Sequence, residues 1–305
     1  MAVIPEDGQG VVFPMQKSVF EFPHGISELV VDDSLFACAY QETPARHRAL
    51  IKTCIARLYD WYGGGKELGG RTESTWRGGF DSIQTFKPVD FCVVLCDATL
   101  ESPVRLLAGL VPAFACGVTN VLVIRVGDGT WPYSLLTALE LAGQELAVDM
   151  TVDQVGEFLT QLRDSGASGR VIDLGVSADG FDSRQAVSDN VRVHIPFFDQ
   201  RVSVWMDEIQ PVDLDALAFV HPDVSCSVSG ANVVLPTEKF SYNEGDFQTF
   251  LASAGDVVFV PTSQVDEALT QSRIVLSSGH EGCWIWPDLR PEHFHIHRTA
   301  WSIGA

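Results

Sequence analysis

The stretch "DFCVVLCDATLESPVRLLAGLVPAFACGVTNVLVIRV", residues 90–126, decides the fold class. It begins with a nearly continuous apolar run, 90–96, which is typical of a parallel strand buried on both faces. Residues 103–117 form a helical pattern, and 120–126 form a second buried strand pattern. A strand, a helix and another strand in this order predict a parallel sheet covered by helices.

The alternating pattern continues beyond this stretch, to Gly180 and then through a second region. Before it, a helix is predicted over 42–65 and a loop or hairpin from there to Phe80. We predict helices at 131–144, 152–166, 212–220, 246–254 and 263–278. We predict strands at 147–150, 169–175, 191–198, 201–207, 231–236, 256–261 and 282–286.

These elements predict an α/β protein with a Rossmann-like parallel-sheet domain and a smaller second α/β domain. The Rossmann-like domain is assigned to 88–205 and the second domain to 206–305. Residues 1–87 are predicted to be a helical and hairpin segment that packs on the second domain.

The charge balance excludes some classes of partner. The 305-residue chain has 20 Lys and Arg against 40 Asp and Glu, a net charge of −20. Nucleic acids and anionic membrane surfaces attract basic patches, so neither is expected as a partner. Residues 106–124 are uncharged, but Pro112 and Gly117 indicate a buried helix followed by a strand.

The cysteines and the N-terminus favour the cytoplasm. The seven cysteines lack CxxC spacing, and the first residues lack the basic and apolar pattern of a signal peptide. We therefore expect buried thiols of a cytoplasmic protein.

Several segments carry a family resemblance in the right order. "LVPAFACGVTNVLVIR" (110–125) is similar to the Pro-Ala-(two residues)-Ala-Gly-Val segment of histidinol dehydrogenases, a branch of the aldehyde dehydrogenase superfamily. In "DLGVSADG", Gly175 and Gly180 resemble the Gly-Ser-Thr-x-x-Gly cofactor loop of aldehyde dehydrogenases. The stretch 192–217 resembles the strands downstream of that loop, and the resemblance covers about 88–285.

This resemblance implies that NAD(P) binds at Gly175 and Gly180 and that an aldehyde or alcohol is oxidised. It also implies a small-molecule ligand in an interdomain cleft and a homo-oligomer, in which the aromatic C-terminus could take part. The acidic residues around the loop, Asp173, Asp179 and Asp182, would repel a pyrophosphate.

The catalytic residues implied by the resemblance are incomplete. Pro196 stands where aldehyde dehydrogenases have a glutamate, and Cys226 lies near the position of their nucleophile. Val224 and Ser227 stand where histidinol dehydrogenases have a zinc-binding Gln-x-x-His, so zinc is not expected.

The C-terminal stretch "RPEHFHIHRTA" (290–300) suggests a Glu-His pair, Glu292 and His293. An alternative pair is His280 with Glu281. His293, His295 and His297 alternate with apolar residues, which predicts one histidine-lined face of a strand. A metal site on this face is chemically possible, but we prefer the interpretation as a half-buried strand with a polar face.

Two functional hypotheses remain open. One is an NAD(P)-dependent oxidoreductase with altered catalytic residues, drawn from Cys226, Glu292 and His293 or the alternative pair. The other is a non-catalytic relative that kept the fold for ligand binding or assembly. An open cleft would favour the enzyme, and a cleft filled by Phe197 and Phe198 would favour the relative.

Overall fold

A computed structural model describes residues 20–303, except 24, 64–67, 128 and 197–200. Phe197 and Phe198 therefore lie outside the described residues. The helices are α1 (Asp33–Glu42), α2 (Ala45–Tyr62), α3 (Pro103–Ala115), α4 (Tyr133–Ala142), α5 (Val152–Asp164), α6 (Leu214–Val220), α7 (Phe247–Ser253) and α8 (Val265–Ala268). The strands are β1 (Gly70–Trp76), β2 (Phe80–Pro88), β3 (Phe91–Asp97), β4 (Val121–Val126), β5 (Ala147–Met150), β6 (Gly169–Asp173), β7 (Val191–His194), β8 (Arg201–Met206), β9 (Ser225–Gly230), β10 (Phe240–Tyr242), β11 (Val257–Val260), β12 (Ile274–Ser277) and β13 (His295–Ile303).

The first sheet is the predicted Rossmann-like sheet. Its strand order is β5-β4-β3-β6-β7, and all its neighbours are parallel. Alternate residues of β3 enter two cores, one shared with α3 and α4 and the other with α5. Helices therefore cover both faces, which explains why every residue of β3, β4 and β6 is buried. This part of the prediction is confirmed.

The second sheet has the order β10-β9-β8-β11-β12 and is also parallel throughout. It forms the smaller α/β unit that the sequence predicts. The strand predicted at 231–236 is wrong, since Val234 is 81% exposed and no strand pairs there. The strand predicted at 282–286 is also wrong. Its Trp284 and Trp286 are buried by packing rather than by sheet pairing.

Two predicted helices are divided differently in the structure. The stretch 263–278 is not one helix, because its β-branched residues Ile274 and Val275 pair in parallel with β11. The helix predicted over 42–65 becomes α2, which starts after Pro44 and follows the separate helix α1. Trp61 is exposed, and Tyr62 is buried in its place.

A third, antiparallel sheet joins the hairpin β1-β2 to the last strand, β13. Its order is β1-β2-β13, so the C-terminal strand pairs with the N-terminal hairpin. The strand β13 belongs to this sheet rather than to the second one, and β8 crosses the predicted boundary at 205. The division into domains itself stays a prediction. The N-terminal segment also packs on both units: α1 contacts α4, and α2 contacts α3 and α6.

The uncharged stretch 106–124 is divided between α3 and β4. None of the helices in the described ranges combines the length and the apolar character that a membrane span requires.

Candidate functional site

The loop after β6 lies where ligands of this fold class bind. The strand order of the first sheet changes direction between β3 and β6. In open α/β sheets, ligands bind outside the carboxyl ends of strands at such a point. Gly175 and Gly180 occupy this loop with φ angles of 95° and 78°, which favour glycine because it lacks a Cβ.

Two buried carboxylates accept the backbone N–H groups of this loop. Asp173 accepts hydrogen bonds from Gly175 at 3.0 Å and from Val176 at 2.9 Å. Asp97, at the end of β3, accepts from the N–H of Ser177 at 2.8 Å and from its hydroxyl at 2.9 Å. Phosphate-binding loops leave such N–H groups free for an anion. In this loop the protein's own carboxylates occupy three of them.

Asp97 carries a negative charge in this position. Burial alone would raise the pKa of Asp97, but hydrogen bonds from Ser177 and Thr99 outweigh it and lower the pKa below its ordinary value. The loop is therefore anionic at neutral pH, as its sequence suggested.

Gly180 borders a different space, beside α5. A cavity of about 640 Å³ lies there, and its lining includes Asp153, Glu157, Thr160 and Gln185. Two carboxylates at its wall make this cavity unfavourable for an anionic group.

Cys226 lies in β9 inside the core and is 1% exposed. Burial raises the pKa of Cys226 to about 12, so the thiol is protonated at neutral pH. Of the seven cysteines, all of them free, six are buried and Cys38 is exposed. The expectation of buried thiols is thus correct for all except Cys38.

The alternative pair, His280 and Glu281, has structural contacts. Glu281 is buried and accepts the N–H of Asp213 at 3.0 Å, just before α6. The Nδ1 atom of His280 lies 3.3 Å from the hydroxyl of Ser277.

The histidine-rich segment is only partly a strand. His293 belongs to a 3-10 turn, Pro291–Phe294, and its Nδ1 accepts the N–H of Arg290 at 3.0 Å. The prediction that His293 shares a strand face is therefore wrong, because β13 starts at His295. His295 and His297 do alternate on β13 as predicted.

Two hollows adjoin this segment, and both touch Glu292, His295 and His297. The first, of about 490 Å³, has apolar walls that include Tyr62 and Phe86. The second, the arginine hollow, has a volume of about 400 Å³. Its wall includes the charged residues Lys87, Asp90, Arg170, Asp189, Arg192, Glu292 and Arg298.

The arginine hollow lies at the amino ends of the first sheet. Its wall includes Asp90, Ser168 and Asn190, the residues directly before β3, β6 and β7. Glu292 therefore lies at the opposite end of the sheet from Gly175, and the structure does not bring these predicted site residues together.

No group of three or more His, Cys, Asp or Glu side chains within the described ranges could hold a metal ion. The ring of His293 instead packs against His194, with centroids 5.2 Å apart.

A buried polar cluster that the sequence did not reveal joins the two units. Arg105 of α3 forms an ion pair with Asp223, which follows α6. Beside it, the Nδ1 of the fully buried His221 lies 3.3 Å from the hydroxyl of Ser102. Burial, followed by the charge of Arg105, holds the pKa of His221 well below its usual value.

Three solved structures with a similar fold are dehydrogenases. The histidinol dehydrogenase of Elizabethkingia anophelis matches 90% of this chain and 77% of its own, with a TM-score of 0.57 and 11% identity. An aldehyde dehydrogenase from Brucella melitensis biovar abortus 2308 matches 90% of this chain and 83% of its own, with a TM-score of 0.53 and 12% identity. A succinate-semialdehyde dehydrogenase from Burkholderia pseudomallei matches 89% and 83%, with a TM-score of 0.51 and 8% identity.

These similarities define the class of fold. The chain has the aldehyde dehydrogenase-like α/β fold, and histidinol dehydrogenase shares it, as the sequence resemblance implied. The sequence matches no protein-family profile and no curated protein. At such low identity the likeness concerns the fold, and the chemistry has to be argued from the site.

Proposed function

We propose that the chain is a non-catalytic protein with the aldehyde dehydrogenase-like fold, serving ligand binding or assembly. The observation that carries this proposal is the occupation of the loop N–H groups by Asp173 and Asp97. A cofactor pyrophosphate would have to displace both carboxylates and then lie beside their charges. The alternative is an NAD(P)-dependent oxidoreductase, which the positive φ angles of Gly175 and Gly180 favour.

The candidate catalytic residues support the same proposal. A nucleophilic cysteine has to be an accessible thiolate, whereas Cys226 is buried and protonated. Pro196 cannot exchange a proton in place of the implied glutamate. Glu292 and His293 lie beside the amino ends of the strands, away from the loop. Free thiols are typical of reducing compartments, so the proposed location is the cytoplasm.

Iodoacetamide at neutral pH is expected to alkylate Cys38 and to leave Cys226 unmodified in the folded protein. Cys38 is exposed and serves as the internal control, while Cys226 should react only after unfolding. Peptide mass spectrometry over time measures both sites. Alkylation of Cys226 as fast as Cys38 would contradict the proposal.

Calorimetric titration with NAD⁺ and NADP⁺ examines the ligand side of the proposal. We expect no saturable heat at cofactor concentrations up to about 1 mM. A dissociation constant of that size would correspond to a binding free energy of only about 4 kcal/mol. Tighter binding, or reduction of the cofactor in the presence of an aldehyde, would favour the oxidoreductase.

The antiparallel sheet is the proposed assembly surface, and a second copy of this chain is its proposed occupant. Among the described strands β13 pairs only with β2, so its nine residues offer an open backbone edge. Trp301 is 75% exposed and Ile303 is 91% exposed. Phe80 links Trp301 and Trp76 in one aromatic cluster, with ring centroids 5.1 Å and 5.8 Å away. An antiparallel strand can pair with its own copy across a two-fold axis, which would cover this cluster.

The double variant Trp301→Ser, Ile303→Lys is expected to convert the oligomer to a monomer, because it removes apolar area and adds charge at the sheet edge. Light scattering coupled to size-exclusion chromatography measures the mass. Trp61→Ser is the matched control, since Trp61 is 66% exposed on α2 and lies outside this sheet. A monomeric wild-type protein, or an unchanged mass of the double variant, would refute the assembly surface.

A further inference from the structure

The arginine hollow has an unusual charge for this protein. The chain carries twice as many acidic as basic residues, so a wall with more basic than acidic side chains departs from the composition of the chain. Three arginines, Arg170, Arg192 and Arg298, line this hollow. None of them takes part in an ion pair with another described residue.

Arg170 is the central group, because it is fixed and buried. It is 7% exposed. Its guanidinium donates to the carbonyl oxygens of Gly169 at 2.7 Å, of His295 at 3.3 Å and of His293. A guanidinium has five N–H donors, so these three bonds leave two for another acceptor. Buried charges in proteins are normally paired, and here the described residues supply only neutral carbonyls.

Arg192 increases the excess of positive charge. It is the register partner of Arg170 across the parallel strands β6 and β7, so both side chains lie on one face. Burial, and secondly the charge of Arg192, lowers the pKa of Arg170 to about 10. Two like charges on register-paired positions repel each other, and an anion bound between them would offset this repulsion.

The acidic residues at the wall do not neutralise this pair. Asp90 accepts hydrogen bonds from Ser168, at 2.9 Å to its N–H and 2.6 Å to its hydroxyl, and lies 3.5 Å from Lys87. Asp189 and Glu292 are exposed, so solvent screens their charges. The buried arginine is therefore left with the excess charge.

We propose that the arginine hollow binds the phosphate group of a small molecule through Arg170, Arg192 and Arg298. Guanidinium groups bind phosphate oxygens in pairs, and the carbonyl contacts already hold Arg170 in position. The volume of about 400 Å³ accommodates a small phosphorylated compound. The site lies at the amino ends of the strands, away from the cofactor-type loop. It does not depend on whether the protein is catalytic.

The test uses the full chain and inorganic phosphate as the probe. Thermal unfolding is followed as phosphate replaces chloride at constant ionic strength. We expect a saturable rise in the unfolding temperature of the wild type, because a ligand that binds only the folded state stabilises it. For the double variant Arg192→Gln, Arg298→Gln, we expect the phosphate concentration at half-saturation to rise by about tenfold or more.

Arg192 and Arg298 are exposed, so their replacement should leave the fold intact. The control is Arg184→Gln, because Arg184 is an exposed arginine outside the hollow. The control is expected to respond as the wild type does. The absence of a saturable phosphate effect in the wild type would overturn the proposal. An unchanged response of the double variant would also overturn it, since the phosphate would then bind elsewhere.

Discussion

Replacing Asp223 with alanine is expected to lower the free energy of unfolding by about 3 to 5 kcal/mol. The side chains of Arg105 and Asp223 are 8% and 12% exposed, so the variant leaves a buried cation without its carboxylate. Asp223 also accepts the N–H of Glu101 at 3.0 Å, at the start of the α3 region. The pair joins α3 to the end of α6, so its loss loosens the contact between the two units.

Urea denaturation followed by tryptophan fluorescence measures this loss. Asp215→Ala is the matched control, because Asp215 is an exposed carboxylate on α6 itself. It should change the free energy of unfolding by less than about 0.5 kcal/mol. Removing both charges with Arg105→Met, Asp223→Leu should destabilise less than Asp223→Ala alone. Equal effects of Asp223→Ala and Asp215→Ala would show that the buried pair does not stabilise the fold.

The second large effect is expected for Gly230→Ala, at about 3 kcal/mol or more. Gly230 ends β9 with a φ of 103°, in the left-handed region that other residues avoid. A Cβ on Gly230 would also lie 2.2 Å from the carbonyl oxygen of Met206. That oxygen belongs to the neighbouring strand β8 and cannot move without disturbing the sheet. Backbone strain and steric overlap therefore add.

Gly279→Ala separates these two contributions. Gly279 has a φ of 85°, but a Cβ there would meet no atom within 4 Å. It should therefore show the strain alone, at about 1 kcal/mol. Urea denaturation of both variants gives the comparison. If Gly230→Ala destabilised no more than Gly279→Ala, the close approach to Met206 would have no energetic consequence.

The sequence predicts the first sheet well because each of its buried strands is marked by a short apolar run of consecutive residues. The run Phe91–Cys96 is apolar throughout, since both faces of its strand are covered, and such a run has few other interpretations. The same reasoning fails at 282–286. Trp284 and Trp286 are buried because they pack beside α3 and not because they belong to a strand. An apolar run in the sequence does not reveal which kind of neighbour buries it.

The site was predictable only in its glycines. The spacing of Gly175 and Gly180 indicates a loop with unusual backbone angles, and the loop has them. The carboxylate of Asp97 reaches Ser177 across 80 residues of sequence, and no local pattern encodes that contact. Arg170 could be noticed in the sequence as a charged residue within the largely apolar stretch of β6. Its position beside Arg192 depends on the register of two strands, which the sequence does not show.

By itself, the sequence determined the α/β class, the parallel strands and the excess of acidic charge, because these follow from composition and from short periodic patterns. Only the tertiary structure decided that β13 joins the N-terminal hairpin, that Cys226 is buried, and that Glu292 lies far from Gly175. Such facts depend on which distant segments pack together. Which segments pack together depends on the free energy of the whole chain. A single motif contributes only a small part of that free energy, so it does not predict the packing.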